Sequence, residues 1–301
     1  MEQQVEQTVV AESTPPTGFK VILREFKKDK LAMFSFVFIT LLIVGVMITA
    51  FFFVDQEAAM KINLLERYTE PGTAGYILGA DEAGRDILVQ LIIGAKNSLL
   101  IAISVTVISA IVGISLGIVT GYYGGFVDSL FMRIIDFFMT IPTLMFIIVF
   151  VTMIPKYTTI HLILIISIFA WVGTARLVRS KALSESRRDY VNASKTMGTS
   201  DFAIMFKGIL PNLSSIIIVD LTLSFAGNVG IETGLSFLGF GLPPSEPSLG
   251  TLVSYATNPI VLAEKWWVWL PASLFILLMM LGINYVGQAL RRAADAKQRL
   301  G

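Results

Sequence analysis

The sequence predicts an all-α polytopic membrane protein with six transmembrane helices and both termini in the cytoplasm. Three observations predict it. Of 301 residues, 54% are hydrophobic and 15% charged, with a mean hydropathy of +0.74, whereas an ordinary soluble domain carries about 25% charged residues. The apolar residues gather in six blocks, each near the roughly 20 residues that cross a hydrocarbon core of about 30 Å as a helix. The Lys and Arg residues crowd into alternate connecting segments, the pattern of a chain that keeps its cations inside. These features exclude a soluble enzyme and a nucleic-acid binder. With no Cys and a single His, His161, the chain also lacks the residues for a disulfide, a thiolate site or a His-pair metal site.

Residues 1–18 are polar, contain Pro15-Pro16 and are expected to form a disordered cytoplasmic tail. Region 19–56 brings five cations (Lys20, Arg24, Lys27, Lys28 and Lys30) to the first apolar block, Leu31 to Phe53. That block is longer than a leader's apolar region and no small-residue cleavage pattern follows it, so it reads as a retained helix. Residues 57–97 form an extracytoplasmic loop carrying Lys61, Arg67, Arg85 and Lys96. Within it, Asp81 or Glu82 can cap a helix starting near Ala83. Ile87, Leu88, Leu91 and Ile92 then share one face, as in an amphipathic helix lying at the outer interface.

The core, 98–292, opens with the block Ser98 to Tyr122. Its stripe of Ser109, Gly113, Gly117 and Gly121 predicts close helix packing within the subunit. After Arg133 comes Ile134 to Ile154, and after Lys156 comes Thr159 to Val178, with His161 in an interfacial role. The segment 179–212 follows. With its flank it holds seven cations: Arg176, Arg179, Lys181, Arg187, Arg188, Lys195 and Lys207. It reads as two short helices, one from Glu185 to Met197 stopped by Gly198, the other capped by Thr199 or Ser200 and ending before Leu210-Pro211. Connections between packed helices usually take about 2 to 8 residues, so a folded loop of this length predicts a docking surface.

The fifth block, Asn212 to Phe240, contains Asp220, Gly227, Gly230, Glu232 and Gly234 and is expected to be tilted, bent or broken. An unpaired charge in such a span costs at least about 2.5 to 3.5 kcal/mol. Asp220 is therefore expected to be hydrogen-bonded or to touch substrate. Glu232 is a candidate for the translocation path or its outer gate. Asp136 faces the same constraint. Beyond Lys265 the sixth block, Trp266 to Leu290, starts with Trp266, Trp267 and Trp269 as interfacial anchors. Arg291, Arg292, Lys297 and Arg299 mark the exit and the tail 293–301. Seventeen cations thus lie on one side and six on the other, which places both termini inside.

Five stretches carry a resemblance. Tyr190-Val191-Asn192-Ala193-Ser194 with Gly198 and Ile209-Leu210-Pro211-Asn212 is similar to the "EAA" loop of permease subunits in ATP-binding-cassette (ABC) importers, with Asn192 in place of Glu and Ser194 in place of the second Ala. Leu78-Gly79-Ala80-Asp81, Gly84-Arg85-Asp86 and Gly94-Ala95-Lys96-Asn97-Ser98-Leu99 resemble an outer segment of the dipeptide/oligopeptide/nickel branch, with Ala80 and Lys96 as departures from Thr and Arg. Gly121 to Asp128, Glu232 to Gly241 with Pro247 to Gly250, and Asn284 to Arg292 extend the match in order. Together they resemble the C-type subunit of the peptide branch.

The resemblance implies a type I ABC importer permease fold in a bacterial or archaeal inner or plasma membrane. It implies a coupling helix in which Tyr190, Val191, Asn192, Ala193, Ser194, Met197 and Gly198 meet a cytoplasmic ATPase, and binding-protein contacts at Asp81, Arg85 and Asp86. The implied partners are a homologous second permease subunit forming a heterodimer, two cytoplasmic ABC ATPase subunits and an extracytoplasmic peptide-binding protein. No G-x-x-x-x-G-K-[ST] run occurs, so ATP and magnesium are expected to serve the partner ATPases, with no cofactor, metal or catalytic residue in this chain. The expected cargo is oligopeptide or dipeptide, with nickel or another small solute as the alternative. An ion-coupled secondary transporter using Asp136, Asp220 and Glu232 fits less well, because no repeat is visible. An intramembrane hydrolase fits least.

Overall fold

The computed structural model describes residue 24, residues 26–243 and residues 246–300. The tail expected over 1–18 lies outside the described residues. Among the described residues there is no strand, and one isolated bridge pairs Ala80 with Asp86. The principal helices are α1 (Lys30–Phe52), α2 (Ile87–Tyr123), α3 (Gly125–Thr140), α4 (Thr143–Met153), α5 (Thr159–Glu185), α6 (Asp189–Thr196), α7 (Leu210–Phe237), α8 (Leu249–Ser254) and α9 (Trp266–Leu300). Among the described residues five helices are long and apolar enough to cross a membrane alone, and α3 with α4, bent by 80°, reach that length and apolarity together.

The centre is the pair α2 and α5. Cβ atoms built at Gly113, Gly117 and Gly121 would lie 2.9 Å from Thr174 Cβ, 2.7 Å from the Ala175 carbonyl oxygen and 2.7 Å from Ala182 Cβ. Only hydrogen fits there, so the small-residue stripe serves packing inside the subunit. These contacts advance in the same direction along both helices, so α2 and α5 are parallel. The chain between them must return across the full thickness, which makes α3 and α4 one crossing despite their bend.

That bend is a break in a span the sequence reading takes as regular. Ile141 is extended (φ −85°, ψ 128°) ahead of Pro142, because the proline ring crowds a helical residue before it and offers no N–H. The fifth span stays continuous across its three glycines. Each glycine costs only about 1 kcal/mol relative to Ala, whereas an open backbone in lipid costs several per group.

Two other boundaries move. The outer amphipathic segment is not a separate helix lying on the membrane. It is the first part of α2, which starts at Ile87 with Asp86 as N-cap and runs for 37 residues, about 55 Å. Polar residues such as Lys96 and Asn97 leave the hydrophobic block without breaking the helix. At the other end, α9 continues unbroken across residues 292 and 293. Around the central pair, Ile101, Ile147, Leu162 and Leu235 form one apolar cluster, and Leu99, Val229, Leu249 and Met279 form another.

Candidate functional site

The segment below α5 is a braced element. The α5 helix extends past Val178 to Glu185, and Ser186 closes it by donating to the Ala182 carbonyl at 2.8 Å. After the Arg187-Arg188 link, α6 has Asp189 in its first turn and Lys195 in its last, both favourable to the helix dipole. The helix expected over Glu185 to Met197 is therefore shorter, since Glu185 belongs to α5 and Ser186 closes it. Gly198 ends it with φ +79°, as a left-handed stop requires. Ser200 then caps the next turn by accepting from Ala203 N at 3.4 Å.

The second short helix does not end before Leu210-Pro211. Asp201–Ala203 passes through a π segment, Ile204–Ile209, directly into α7. Leu210 N–H bonds to the Met205 carbonyl, five residues back. Pro211 sits in the first turn of α7, where a missing N–H is tolerated.

Three tethers fix this element to the spans. The Tyr190 hydroxyl donates to Glu185 Oε2 at 3.0 Å and accepts from Asn212 Nδ2 at 3.2 Å, joining α6 to the end of α5 and the start of α7. Burial pushes the Tyr190 phenol pKa up, which keeps it a donor. The Tyr122 hydroxyl, at the end of α2, donates to Asp201 Oδ1 at 2.5 Å, and Lys195 Nζ lies 4.5 Å over the Tyr122 ring. Val191 is buried among Ile204, Met205, Ile209 and Leu213. Of the residues implied for coupling, Val191 thus points inward as an anchor, and Ser194 bonds the Tyr190 carbonyl at 2.8 Å. Asn192, Ala193 and Gly198 lie exposed and Tyr190 borders on exposure. Met197 is 76% exposed. Phe202, which the sequence reading missed, is 66% exposed and packs its ring 4.7 Å from Phe206. Its only signal was an aromatic residue one turn past the Gly198 stop.

The outer site is organised around Asp81, which is 0% exposed. Its Oδ1 accepts from Ala83 N at 2.8 Å and Arg85 N at 2.9 Å. Its Oδ2 accepts from Arg85 Nε at 2.8 Å and Gln90 Nε2 at 3.0 Å. Arg85 reaches on to the Tyr255 hydroxyl at 2.9 Å. Burial, then the Asp81 charge, raises the Tyr255 pKa. The Tyr76 hydroxyl donates to the Glu66 carboxylate, which pushes its pKa up to about 12. Asp86 caps α2 through Leu88 N at 2.7 Å.

Asp81, Arg85 and Asp86 are therefore spent on folding the loop, and Asp81 offers no surface to a partner. Trp267 is buried rather than an interfacial anchor: its ring packs on Gly79 and Ile87, and its Nε1 donates to the Ala80 carbonyl at 3.3 Å. His161 bonds the Thr158 backbone and hydroxyl and helps cap α5.

The two acids of the fifth span separate. Asp220 is half-buried and accepts from Thr174 Oγ1 at 2.7 Å. Glu232 is 0% exposed, with Oε1 accepting from Ser236 at 2.7 Å and the hydroxyls of Ser98 and Ser248 nearby. It faces α2 and α8 inside this subunit, because Gly94 and Gly250 let these segments close over it. The residue expected at the path or its gate is thus enclosed by this subunit's own helices. Asp136 is exposed, 3.7 Å from Arg176. Among the described residues no three His, Asp or Glu side chains converge as metal ligands.

Residues 113–300 match the family of binding-protein-dependent transport system inner membrane components, and residues 18–68 match the N-terminal transmembrane domain of oligopeptide transport permease C. The chain is 52% identical over 277 residues to the oligopeptide transport system permease protein OppC of Lactococcus lactis subsp. cremoris, covering 92% of this chain and 94% of that protein. It is 33% identical to OppC of Bacillus subtilis (93% and 90% covered) and 35% identical to the dipeptide transport system permease protein DppC of the same organism (92% and 85% covered). A matching domain over more than half its length, six apolar crossings and full-length relatives agree: the chain belongs to the binding-protein-dependent inner membrane transport components and is a multi-pass permease subunit of the oligopeptide permease C type.

Proposed function

We propose that this chain is one half of the membrane pathway of an ATP-driven importer that carries oligopeptides into the cytoplasm by alternating access. It pairs with a homologous second permease subunit, rests on two cytoplasmic ATPases that use ATP and magnesium, and receives cargo from an extracytoplasmic peptide-binding protein. The observation that carries the reading is the braced element of α6 and the turn after it. Its tethers run to α2, α5 and α7, so a push on Ala193, Met197 or Phe202 reaches three spans through rigid contacts. The peptide-permease names of the relatives favour peptide over nickel. A groove of about 630 Å³ between α7 and α9, lined by Gly230, Thr233, Phe237, Ile276 and Met280, adds apolar surface for a second subunit.

Proteoliposomes holding the whole complex test this. Uptake of a labelled oligopeptide should require ATP and both permease subunits. Ala193→Arg should cut uptake at least tenfold while the complex stays assembled and continues to hydrolyse ATP. Uptake by this chain alone on a proton gradient, indifferent to ATP, overturns the reading.

A further inference from the structure

The start of α1 and the inner end of α9 are clamped together into a basic shelf. Residues 20–30 and 291–299 carry nine Lys or Arg against three acids, Glu25, Asp29 and Asp295. Asp29 is committed to the fold. Its Oδ1 accepts from Ala32 N at 3.0 Å as the N-cap of α1, and its Oδ2 accepts from Arg292 Nη2 at 2.9 Å. Phe26 is buried in the seam between the two helices, with Ala32, Val286 and Ala289 around it. Asp29, at ψ 96°, breaks the helix between Phe26 and α1. The short stretch ahead of α1 is thereby fixed to α9. Arg24, Lys27, Lys30 and Arg291 remain exposed, and none of them makes an ion pair among the described residues.

These cations stand at the edge of the hydrocarbon. Directly after Lys30, the exposed residues Leu31, Phe34, Phe38 and Leu41 follow at spacings of three and four, a single apolar stripe along α1 in which the Phe34 and Phe38 rings stack at 6.2 Å. Only 11% of the most apolar window of α1 is buried, against 28% or more in the other four long spans. This span is the one its own subunit covers least, and its stripe runs up to the cations without a gap. A cytoplasmic protein would meet the cations alone, because the stripe lies within the bilayer. A lipid of the inner leaflet meets both, with its phosphate at the cations and its chains on the stripe. Lys and Arg clustered on the cytoplasmic side of a span attract anionic headgroups, each strengthening the attraction about fivefold.

We infer that Arg24, Lys27, Lys30 and Arg291 form a binding site for the phosphate of an anionic inner-leaflet lipid such as phosphatidylglycerol, whose acyl chains lie along Leu31, Phe34 and Leu41. Asp29 and Arg292 are positioning residues. Their bond holds the two helix ends side by side and uses up the one acid described on the shelf.

The test titrates the complete purified complex in detergent with dioctanoyl phosphatidylglycerol or dioctanoyl phosphatidylcholine and counts bound lipid by native mass spectrometry. The wild type should bind phosphatidylglycerol roughly tenfold or more tightly than phosphatidylcholine, and added salt should weaken that binding. The triple variant Arg24→Gln, Lys27→Gln, Lys30→Gln should lose the preference, at about fivefold per cation. Removing the same charge from the outer side, with Lys61→Gln, Arg67→Gln and Lys156→Gln, should leave it intact. Fourteen of the seventeen inner cations remain in the triple variant, which preserves its orientation. Inorganic phosphate should not displace the lipid, because it has no chains to lay on the stripe. Equal binding of the two lipids by the wild type overturns the inference, as does a triple variant within about twofold of wild type or displacement by inorganic phosphate. Loss of the ATPases or of the second permease subunit from the triple variant also overturns it, by assigning the cations to a protein contact.

Discussion

At Asp81 a carboxylate with no solvent exposure meets the N–H groups of Ala83 and Arg85, the Arg85 guanidinium and the Gln90 amide. Removing one partner of such a buried pair costs about 3 to 5 kcal/mol, because the other charge stays buried without compensation. Asp81→Asn should therefore lower the melting temperature in detergent by several degrees and open residues 61–86 to protease. Asp86→Asn, which alters only a helix cap, should cost about 1 kcal/mol or less. Equal melting of Asp81→Asn and wild type would show that the network does not hold the outer loop. Tyr76 supplies a pH signature. Its folded pKa of about 12 lies above the ordinary phenol value of 10.0, so the folded state binds the proton more tightly. The stabilisation is complete below pH 10 and is lost as pH rises through 12. The tyrosinate absorbance difference between wild type and Tyr76→Phe should titrate near 12, and a midpoint near 10 would refute the Glu66 bond.

The helices differ in how much a single position can disturb them. On α2, a side chain at Gly117 meets the Ala175 carbonyl oxygen and Val178 Cβ, both backbone-fixed. Gly117→Val should cost at least about 1 to 3 kcal/mol by overpacking and reduce the folded fraction recovered in size-exclusion chromatography. Gly173→Ala on α5, where no atom lies within 4 Å of the added carbon, should be neutral or slightly stabilising. If both variants behave alike, α2 and α5 are not in the contact described. The π segment before α7 belongs to the same scale. It lets the chain from the braced element enter the membrane past Pro211 without a gap in the helix.

For the whole molecule the prediction is sidedness. The native chain has no Cys, so single introduced thiols report cleanly. In sealed right-side-out vesicles, a membrane-impermeant maleimide should label Leu65→Cys at once and Met197→Cys only after the membrane is opened. Labelling of both from outside would break the six-crossing topology and the inside placement of α6. That topology follows from the parallel run of α2 and α5, which forces the bent pair α3 and α4 to cross.

Length, apolarity and the distribution of cations determined the number of crossings, their order and their orientation, because a bilayer tests each stretch of chain almost independently of the others. Local chemistry likewise announced the Gly198 stop and the Ser200 cap. What the tertiary structure decided is which polar residues are spent on folding. Asp81, Glu232 and Trp267 look like surface or pathway groups when read along the chain, and all three lie inside. Their partners, Tyr255, Ser248 and Ala80, are distant in sequence and arrive only when the helices pack. The break falls at Pro142, while α7 runs on as one helix through its glycines, where the cost of open backbone in lipid keeps the hydrogen bonds closed. Packing also seated the outer loop on the start of α2, through bonds such as Ile87 N to the Gly79 carbonyl that no periodicity along the chain encodes.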